Sequence, residues 1–136
     1  MTANTKRISL SWSEALVFKG GEPGGPQTVI DGDNALAPGP MLMLLLAAAG
    51  CTGADVVSIL EKMRVKVLAL SIDVSGERRD QDPRRYTAIH LDYRIRGEGL
   101  DEAKAARAVS LSVEKYCSVL HSLAADIRIT HGLTLG

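Results

Sequence analysis

The chain has 136 residues, of which 46% are hydrophobic, 4% aromatic and 24% charged. Its 16 basic residues balance 16 acidic ones, so it lacks the basic excess of dedicated nucleic-acid-binding or anionic-membrane-binding proteins. The length predicts one domain spanning residues 1–136, with an aliphatic core. The N-terminal segment has no apolar stretch of the signal-peptide kind. We therefore expect a cytoplasmic protein with no nucleic-acid partner and no membrane partner.

Three short strands are predicted before the first helix. Apolar and polar side chains alternate over Lys6–Trp12, a pattern typical of a strand. A second strand is expected at Glu14–Phe18, followed by a loop rich in glycine and proline at Lys19–Pro26. The chain then resumes as a strand at Gln27–Ile30 and reaches the turn residues Asp31–Asn34. Such closely spaced strands predict an antiparallel meander.

The longest apolar run, Pro38–Met63, predicts a long helix, because proline suits the first turn and Leu, Met and Ala dominate. No charged residue occurs in Met41–Ala54, and a helix that is apolar all round needs burial on every side. This uncharged stretch is shorter than a membrane span of ~20 apolar residues. Gly50 and Gly53 lie close to Cys51, which indicates close backbone packing or an opening beside the sulfur.

Two long strands are predicted after this helix. Lys66–Arg78 alternates between its two faces, and Tyr86–Arg96 does the same after a turn. Ile89, Leu91 and Tyr93 fall on the apolar face of the second strand. Basic residues gather around the intervening turn, but acidic residues intersperse them, so we interpret this region as a solvated loop. The basic residues are Arg78, Arg79, Arg84 and Arg85.

A second helical region and a last strand complete the chain. Asp101 is a suitable N-cap for a helix, and Cys117 lies near the end of that helix. Ser118–Ala125 is expected to continue helically, and Ile127–Leu135 alternates as a strand. The order predicts an α+β fold, in which one small sheet covers a single face of the apolar central helix. A homodimer would cover the remaining faces.

The two cysteines, Cys51 and Cys117, leave several interpretations open. Each lies on a predicted helix and could be a small buried apolar residue. Thiols are normally reduced in the cytosol, so redox activity, metal binding or inert burial is more typical there than a permanent disulfide. A disulfide or dithiol pair would need their Cα atoms within roughly 7 Å.

Several stretches resemble the OsmC/Ohr family. PGPMLMLLLAAAGCTGADVVSIL is similar to its first cysteine helix, ARAVSLSVEKYCSVLHSL to its second, and ADIRITHGL to its last strand. DVVSILEK, SGERR and LSVEKYCSV point to the YhfA-like branch of the family. The resemblance covers nearly the whole chain. It implies an intertwined homodimer, with antiparallel sheets wrapped around central cysteine-bearing helices.

The same resemblance implies an antioxidant activity in the oxidative stress response. Cys51 would be the peroxidatic thiol that reduces organic hydroperoxides or hydrogen peroxide. Cys117 would be the resolving thiol, and an external dithiol reductant would restore both. No metal and no organic cofactor is implied. The alternative is a non-catalytic dimer of the same fold that binds an apolar small molecule or senses redox state.

The supporting residues differ from the family pattern. The position of the family's glutamate falls at Met41 or Leu42, and the N-terminal loop offers Lys19 where the family has an arginine. Lys19 is therefore a candidate source of positive charge for the thiol. Glu114 precedes Cys117 by one turn, and the resemblance places it in the family's dimer or site network. An exposed helix acid is the alternative interpretation of Glu114.

Two more polar residues share helix faces with the cysteines. Asp55 lies four residues after Cys51, and we expect it to pair with a basic group or a backbone donor. His121 lies four residues after Cys117 and could support a thiolate or form half of a metal site, although this spacing alone is a weak metal-binding signal.

Overall fold

An α+β order of elements runs through residues 4–136, which this computed structural model describes. Three strands precede the long helix, and two strands, a second helical region and a final strand follow it. The chain divides into two units, Met1–Leu44 and Leu45–Gly136. The expectation of a single domain over residues 1–136 stays a prediction.

The first unit contains the predicted antiparallel meander. Its strands are β1 (Ser9–Glu14), β2 (Val17–Gly21) and β3 (Gln27–Asp31), paired in the order β1-β2-β3. The loop predicted from Lys19 onwards begins later, because Lys19 is paired with Ser11 on one side and Val29 on the other.

The turn after β3 is organised by one carboxylate. Asp31 accepts backbone N–H groups from Asp33 at 2.9 Å, Ala35 at 3.2 Å and Leu36 at 2.8 Å. These hydrogen bonds, that of Leu36 first, lower the pKa of Asp31, since they stabilise its ionised form. The predicted turn chemistry is thus confirmed at Asp31.

The central helix α1 spans Pro40–Lys62. Gly53 lies against the sheet, where an added methyl would be 3.3 Å from Ile72, whereas a methyl at Gly50 would contact no heavy atom within 4 Å in residues 45–136. One glycine therefore marks close packing and the other marks open space. The helix buries the side chains of Leu45, Ala48, Thr52, Val56 and Leu60.

By length and composition alone, α1 could also cross a membrane, although only 28% of its most apolar window is buried in the protomer. The uncharged stretch was predicted to be too short for a span, but the helix continues to Lys62. One such helix does not establish a span, because the core helix of a globular protein meets the same criteria.

The second unit is built on the sheet β4-β5-β6, whose strands are β4 (Lys66–Arg78), β5 (Tyr86–Glu98) and β6 (Arg128–Leu135). The predicted alternation of β5 is confirmed. In β4 the register shifts between Val67 and Ala69, and this irregularity leaves Leu68 44% exposed. The buried face of β5 consists of Ile89, Leu91, Tyr93 and Ile95.

The expectation of purely antiparallel sheets is wrong for β6. This strand pairs with β5 in parallel, with Ile129 opposite Ile89 and Leu133 opposite Tyr93. A parallel pair needs a crossover connection of a dozen or more residues. The helical region between the two strands supplies that crossover and returns the chain to the end of the sheet at which β5 begins.

The crossover contains α2 (Glu102–Leu111), a π turn (Ser112–Tyr116) and α3 (Ser118–Ser122). The predicted cap is confirmed, since Asp101 accepts the N–H of Lys104 at 2.8 Å. The expected helix continuation is shorter than Ser118–Ala125. Cys117 is not inside a helix, because its ψ of 101° is extended and separates the π turn from α3.

The basic residues around the β4–β5 turn are held by local contacts. Arg78 donates to the carbonyl of Arg84 at 2.6 Å, and Arg85 pairs with Asp126 at 2.7 Å. These contacts agree with the interpretation of a solvated loop.

Candidate active site

Two free thiols and one carboxylate converge in the second unit. Cys51, on α1, is half-buried, and Cys117 is fully buried. The two sulfur atoms and a carboxylate oxygen of Asp55 all lie within 4.8 Å of one another. The sulfurs are close enough to form a disulfide once the side chains rearrange, and the carboxylate lies next to both.

Two different backbone conformations bring these groups together. The period of an α-helix places Asp55 one turn beyond Cys51 on the same face of α1. Cys117 reaches the cluster from the π turn, in which its N–H bonds the carbonyl of Ser112 at 2.8 Å, five residues earlier. Wide turns of this kind are frequent at functional sites.

The surroundings of Cys117 favour the protonated thiol. Burial raises the pKa of Cys117 to about 11, and the neighbouring Cys51 and Asp55 side chains add to this effect. The backbone N–H of Leu120 acts in the opposite direction, because its hydrogen bond stabilises the thiolate. At neutral pH the Cys117 sulfur therefore carries its proton.

A chain of three hydroxyl groups ends on the carboxylate of the cluster. Ser112 Oγ donates to Asp55 Oδ2 at 2.9 Å, Thr52 Oγ1 lies 2.7 Å from Ser112 Oγ, and Tyr93 Oη lies 2.8 Å from Thr52 Oγ1. Each hydroxyl has one proton. With Asp55 ionised, Ser112 uses its proton on the carboxylate, so Thr52 must donate to Ser112 and Tyr93 to Thr52.

The far end of this hydroxyl chain is suited to donate. Burial raises the pKa of Tyr93, so its phenol keeps its proton at neutral pH. Each hydroxyl therefore donates one hydrogen bond to the next group, in the order Tyr93, Thr52, Ser112, and Asp55 accepts the last one. In the part of the chain that the structure describes, no buried side-chain nitrogen or oxygen lacks a hydrogen-bond partner.

A cavity of about 410 Å³ reaches the carboxylate of the cluster. Its wall combines apolar side chains with one acidic and one basic group, so a small amphiphilic molecule fits it better than a purely apolar one. The residues that line it are Asp55, Ser58, Ile59, Lys62, Leu111 and Tyr116.

Two of the other candidate residues, Glu114 and His121, lie outside this cluster. Lys19 is an exposed residue of β2 in the first unit. Glu114 lies in the π turn and is exposed. His121 is also exposed, and its Nε2 is 3.1 Å from the carbonyl of Val113. The structure thus brings the two cysteines together without Glu114 or His121.

The expectation for Asp55 needs a correction, because its partner is the Ser112 hydroxyl instead of a basic group or backbone donor. Among residues 45–136, no ion pair involves Asp55. Sequence reasoning also missed Thr52, Ser112 and Tyr93. The inward position of Tyr93 on β5 was visible in the strand alternation, but nothing in the sequence showed that Ser112 would face α1.

Comparison with known proteins agrees with this architecture. Residues 31–132 match the family model of the OsmC-like proteins. Protein YhfA of Escherichia coli strain K12 is 45% identical over 123 residues, which cover 90% of this chain and 92% of that protein.

Solved structures show the same fold at lower sequence identity. An OsmC-like protein from Mycoplasma pneumoniae superposes with a TM-score of 0.84 at 18% identity, covering 98% of this chain and 99% of that one. The organic hydroperoxide resistance protein OhrB of Bacillus subtilis superposes with a TM-score of 0.64 at 13% identity, covering 98% of this chain and 100% of that one. At these identities the likeness establishes the fold alone.

Proposed function

Because the chain belongs to the OsmC family, which suggests a role in redox chemistry and peroxide resistance, we propose that it is a cysteine-based peroxidase. Cys51 is the peroxidatic thiol and Cys117 the resolving thiol. The observation that carries the proposal is the convergence of two free thiols within 4.8 Å of each other.

The difference in burial supports this proposal for the two roles. A peroxide has to reach the sulfur it oxidises, and Cys51 is half-buried whereas Cys117 has no exposed surface. In the first step the Cys51 thiolate attacks one peroxide oxygen and the O–O bond breaks. The sulfur gains the terminal oxygen of the peroxide together with its hydrogen and becomes a sulfenic acid. The other oxygen leaves as an alcohol, or as water, when it takes up a proton.

The second step joins the two sulfurs. Cys117 attacks the sulfenic sulfur of Cys51, the S–O bond breaks, and the hydroxyl leaves as water with the proton of the Cys117 thiol. An external dithiol then reduces the disulfide by exchange and is itself oxidised. The high pKa of Cys117 keeps this sulfur protonated, and so unreactive towards peroxide, until the sulfenic acid forms.

Asp55 is the proton carrier of this scheme. Its carboxylate lies within 4.8 Å of both sulfurs and is held by Ser112. It accepts the proton of the Cys51 thiol and returns that proton to the leaving oxygen. This role suits a chain that has Met41 or Leu42 in place of the family's glutamate, and it makes Asp55 a general acid–base residue.

The substrates we propose are small organic hydroperoxides, with hydrogen peroxide as a second oxidant. The cavity of about 410 Å³ beside Asp55 has both apolar and charged walls, which suits an alkyl group that ends in a polar peroxide. The name of the B. subtilis protein, organic hydroperoxide resistance protein, points to the same class of substrate. The proposed setting is the oxidative stress response in the cytoplasm.

The working form that we propose is a homodimer. On α1, Leu42 is 45% exposed and Leu46 is 55% exposed, although this half of the helix carries no charge. In the first unit, Leu10 and Trp12 on β1 are 51% and 65% exposed. Apolar surface of this kind on a helix and a sheet indicates a protein partner, and a second copy of the chain supplies one.

Lys19 and Glu114 stay predictions made from the resemblance. As part of the proposal, Lys19 adds positive charge to the site and Glu114 belongs to the dimer network. Replacing either residue tests this, since loss of peroxide reactivity in Lys19→Ala or of dimerisation in Glu114→Gln is the expected result.

Stopped-flow oxidation of the reduced protein tests the enzyme. We expect cumene hydroperoxide to consume two thiols per chain much faster than it oxidises free cysteine. Cys51→Ser should abolish the fast phase, and Cys117→Ser should stop at a sulfenic acid that dimedone traps. Thiol loss in the native protein no faster than in free cysteine would overturn the proposal.

The cavity also favours a second candidate function. A non-catalytic dimer could hold a small amphiphilic molecule against Ile59 and Leu111, which line the cavity, or sense redox state through its thiol pair. Its ligand should still bind to Cys51→Ser, whereas a peroxidase loses its activity in that variant. Equilibrium dialysis beside the kinetic experiment separates the two functions.

A further inference from the structure

The side chains of Cys51, Asp55 and Cys117 also form a set of potential metal ligands, which is a role separate from the proposed peroxidase chemistry. We propose that in the reduced protein these three side chains bind a soft divalent metal ion, Zn²⁺ in particular, and that the bound metal withholds both thiols from peroxide. This metal is not a catalytic cofactor. It is a second ligand of the same site, and its binding does not require peroxidase activity.

The distances between the donor atoms are close to those of a metal site. The three donor atoms lie within 4.8 Å of one another. Zinc ligands lie roughly 2.3 Å from the metal for sulfur and about 2.1 Å for oxygen, so neighbouring donors of a tetrahedron are about 3.5–3.8 Å apart. A contraction of about 1 Å would therefore be enough.

The type of donor atom selects the metal. Two thiolates favour Zn²⁺ over Mg²⁺ and Ca²⁺, which prefer oxygen ligands. The carboxylate of Asp55 adds a harder donor, which suits Zn²⁺ better than Cu⁺. Binding converts both thiols to thiolates and releases two protons, and the pair of thiolates balances the charge of the ion.

The carboxylate is already held as a metal ligand would be. Ser112 donates to one of its oxygens, Asp55 Oδ2, and the other oxygen stays available for an ion. The hydroxyl chain through Thr52 and Tyr93 fixes the orientation of Ser112. Outer hydrogen bonds of this kind orient metal-ligating carboxylates and strengthen binding.

The cavity lined by Asp55 is open to solvent and is the proposed path to the site. Three protein ligands leave the fourth position of a tetrahedral ion for water, and this path can supply that water. Because the metal and the peroxide need the same sulfurs, occupancy by Zn²⁺ should slow oxidation. Conversely, a disulfide between Cys51 and Cys117 removes both thiolate ligands and releases the ion.

Anaerobic titration of the reduced full-length protein with Co²⁺, followed by displacement with Zn²⁺, tests the proposal. We expect one ion per chain, thiolate-to-Co²⁺ charge-transfer absorption, and no uptake by the disulfide form. Asp55→Asn should weaken binding strongly. Ser112→Ala should weaken it by about 10–100-fold, as loss of an outer hydrogen bond does. His121→Ala is the matched control, since His121 lies near Cys117 in sequence but outside the cluster, and it should bind as the native protein does.

Absence of charge-transfer absorption in the native protein would overturn the proposal, and so would affinity that is unchanged in Asp55→Asn or lost in His121→Ala. X-ray absorption of the native Zn²⁺ complex gives a test that needs no variant. Two sulfur neighbours near ~2.3 Å with oxygen at ~2.0–2.2 Å are expected, and a shell without sulfur would contradict the site. These measurements use no peroxide, so they test the metal site even if the peroxidase assay fails.

Discussion

The surroundings of Cys51 and Cys117 differ although their sulfurs lie within 4.8 Å of each other. Cys51 lies in an uninterrupted α-helix, beside a glycine that faces open space, and is half-buried. Cys117 follows a π turn, has an extended ψ, and is fully buried. Two identical side chains thus differ in access to solvent, and burial raises the pKa of Cys117. The proposed peroxidase chemistry uses this difference in access, because one thiol must meet the substrate before the other reacts.

The largest expected effect is on alkylation. In the reduced native protein, iodoacetamide should modify Cys51 at neutral pH and leave Cys117 protected by its burial. The pKa of Cys117 is raised from 9.0 to about 11, so its thiolate fraction below pH 9 falls about 100-fold. Mass spectrometry of the modified peptides, with urea-unfolded protein as the control, measures the ratio.

The raised pKa of Cys117 should make the folded protein less stable at high pH. A raised pKa means that the folded state holds the Cys117 proton more firmly than the unfolded state does. The contribution of the Cys117 proton to the free energy of unfolding is therefore complete below about pH 9 and is lost as the pH rises to about 11.

For the alkylation experiment, equal modification of both thiols at pH 7 in the folded protein would remove the distinction between them.

Dimerisation should affect the surroundings of Cys51, because the proposed interface lies on the same helix. Leu46 is 55% exposed on the same helix, and a glutamate there would place a charge in the proposed interface. We expect Leu46→Glu to raise the dimer dissociation constant at least about 30-fold, the effect of a hot-spot loss of about 2 kcal/mol. Sedimentation equilibrium measures it, with Glu61→Gln at the polar end of α1 as the control. A Leu46→Glu variant that dimerises as tightly as the native protein would contradict the proposed interface.

Ser112→Ala tests the link between the two thiol environments. The substitution removes the hydroxyl that joins Thr52 to Asp55. Leaving buried polar partners unsatisfied costs about 1–3 kcal/mol of unfolding free energy. Urea denaturation measures the loss, and Ser118→Ala, an exposed serine next to Cys117, should change little. An equal effect of both substitutions would show that the hydroxyl chain does not stabilise the fold.

The smallest effect is expected at the far end of the hydroxyl chain. Tyr93→Phe keeps the buried ring and removes only the proton that Tyr93 donates to Thr52, so we expect a loss of about 1 kcal/mol. The exposed Tyr116 provides the matched substitution, Tyr116→Phe, with no expected loss. Thermal unfolding of both variants is sufficient, and a Tyr93→Phe protein as stable as the native one would mean that Thr52 finds another donor.

Much of the fold was predictable because it follows local periodicity. The bounds of β4, the buried face of β5 and the cap at Asp101 all come from alternation or capping chemistry, which neighbouring residues determine. The π turn was not predictable, since one extra residue in a helical turn leaves no compositional signal. The parallel pairing of β6 was not predictable either, because it depends on the path of the whole crossover.

The candidate site was predictable only in part for the same reason. Asp55 was visible at helical spacing from Cys51, but its partner Ser112 is 57 residues away in sequence. Tyr93 could be assigned to the buried face of β5, yet its hydrogen bond to Thr52 spans 41 residues. Contacts of this range depend on the packing of elements, which no local pattern specifies.

The parallel pairing of β6 has a consequence for how the chain folds during its synthesis. Ile129 joins a ladder beside Ile89, a residue synthesised 40 positions earlier, and long separations of this kind slow folding. Until residues 128–135 have been translated, β5 presents a row of unpaired N–H and C=O groups to its surroundings. The nascent chain therefore passes through a stage in which this edge can capture another strand, and chaperone protection would matter most at that stage.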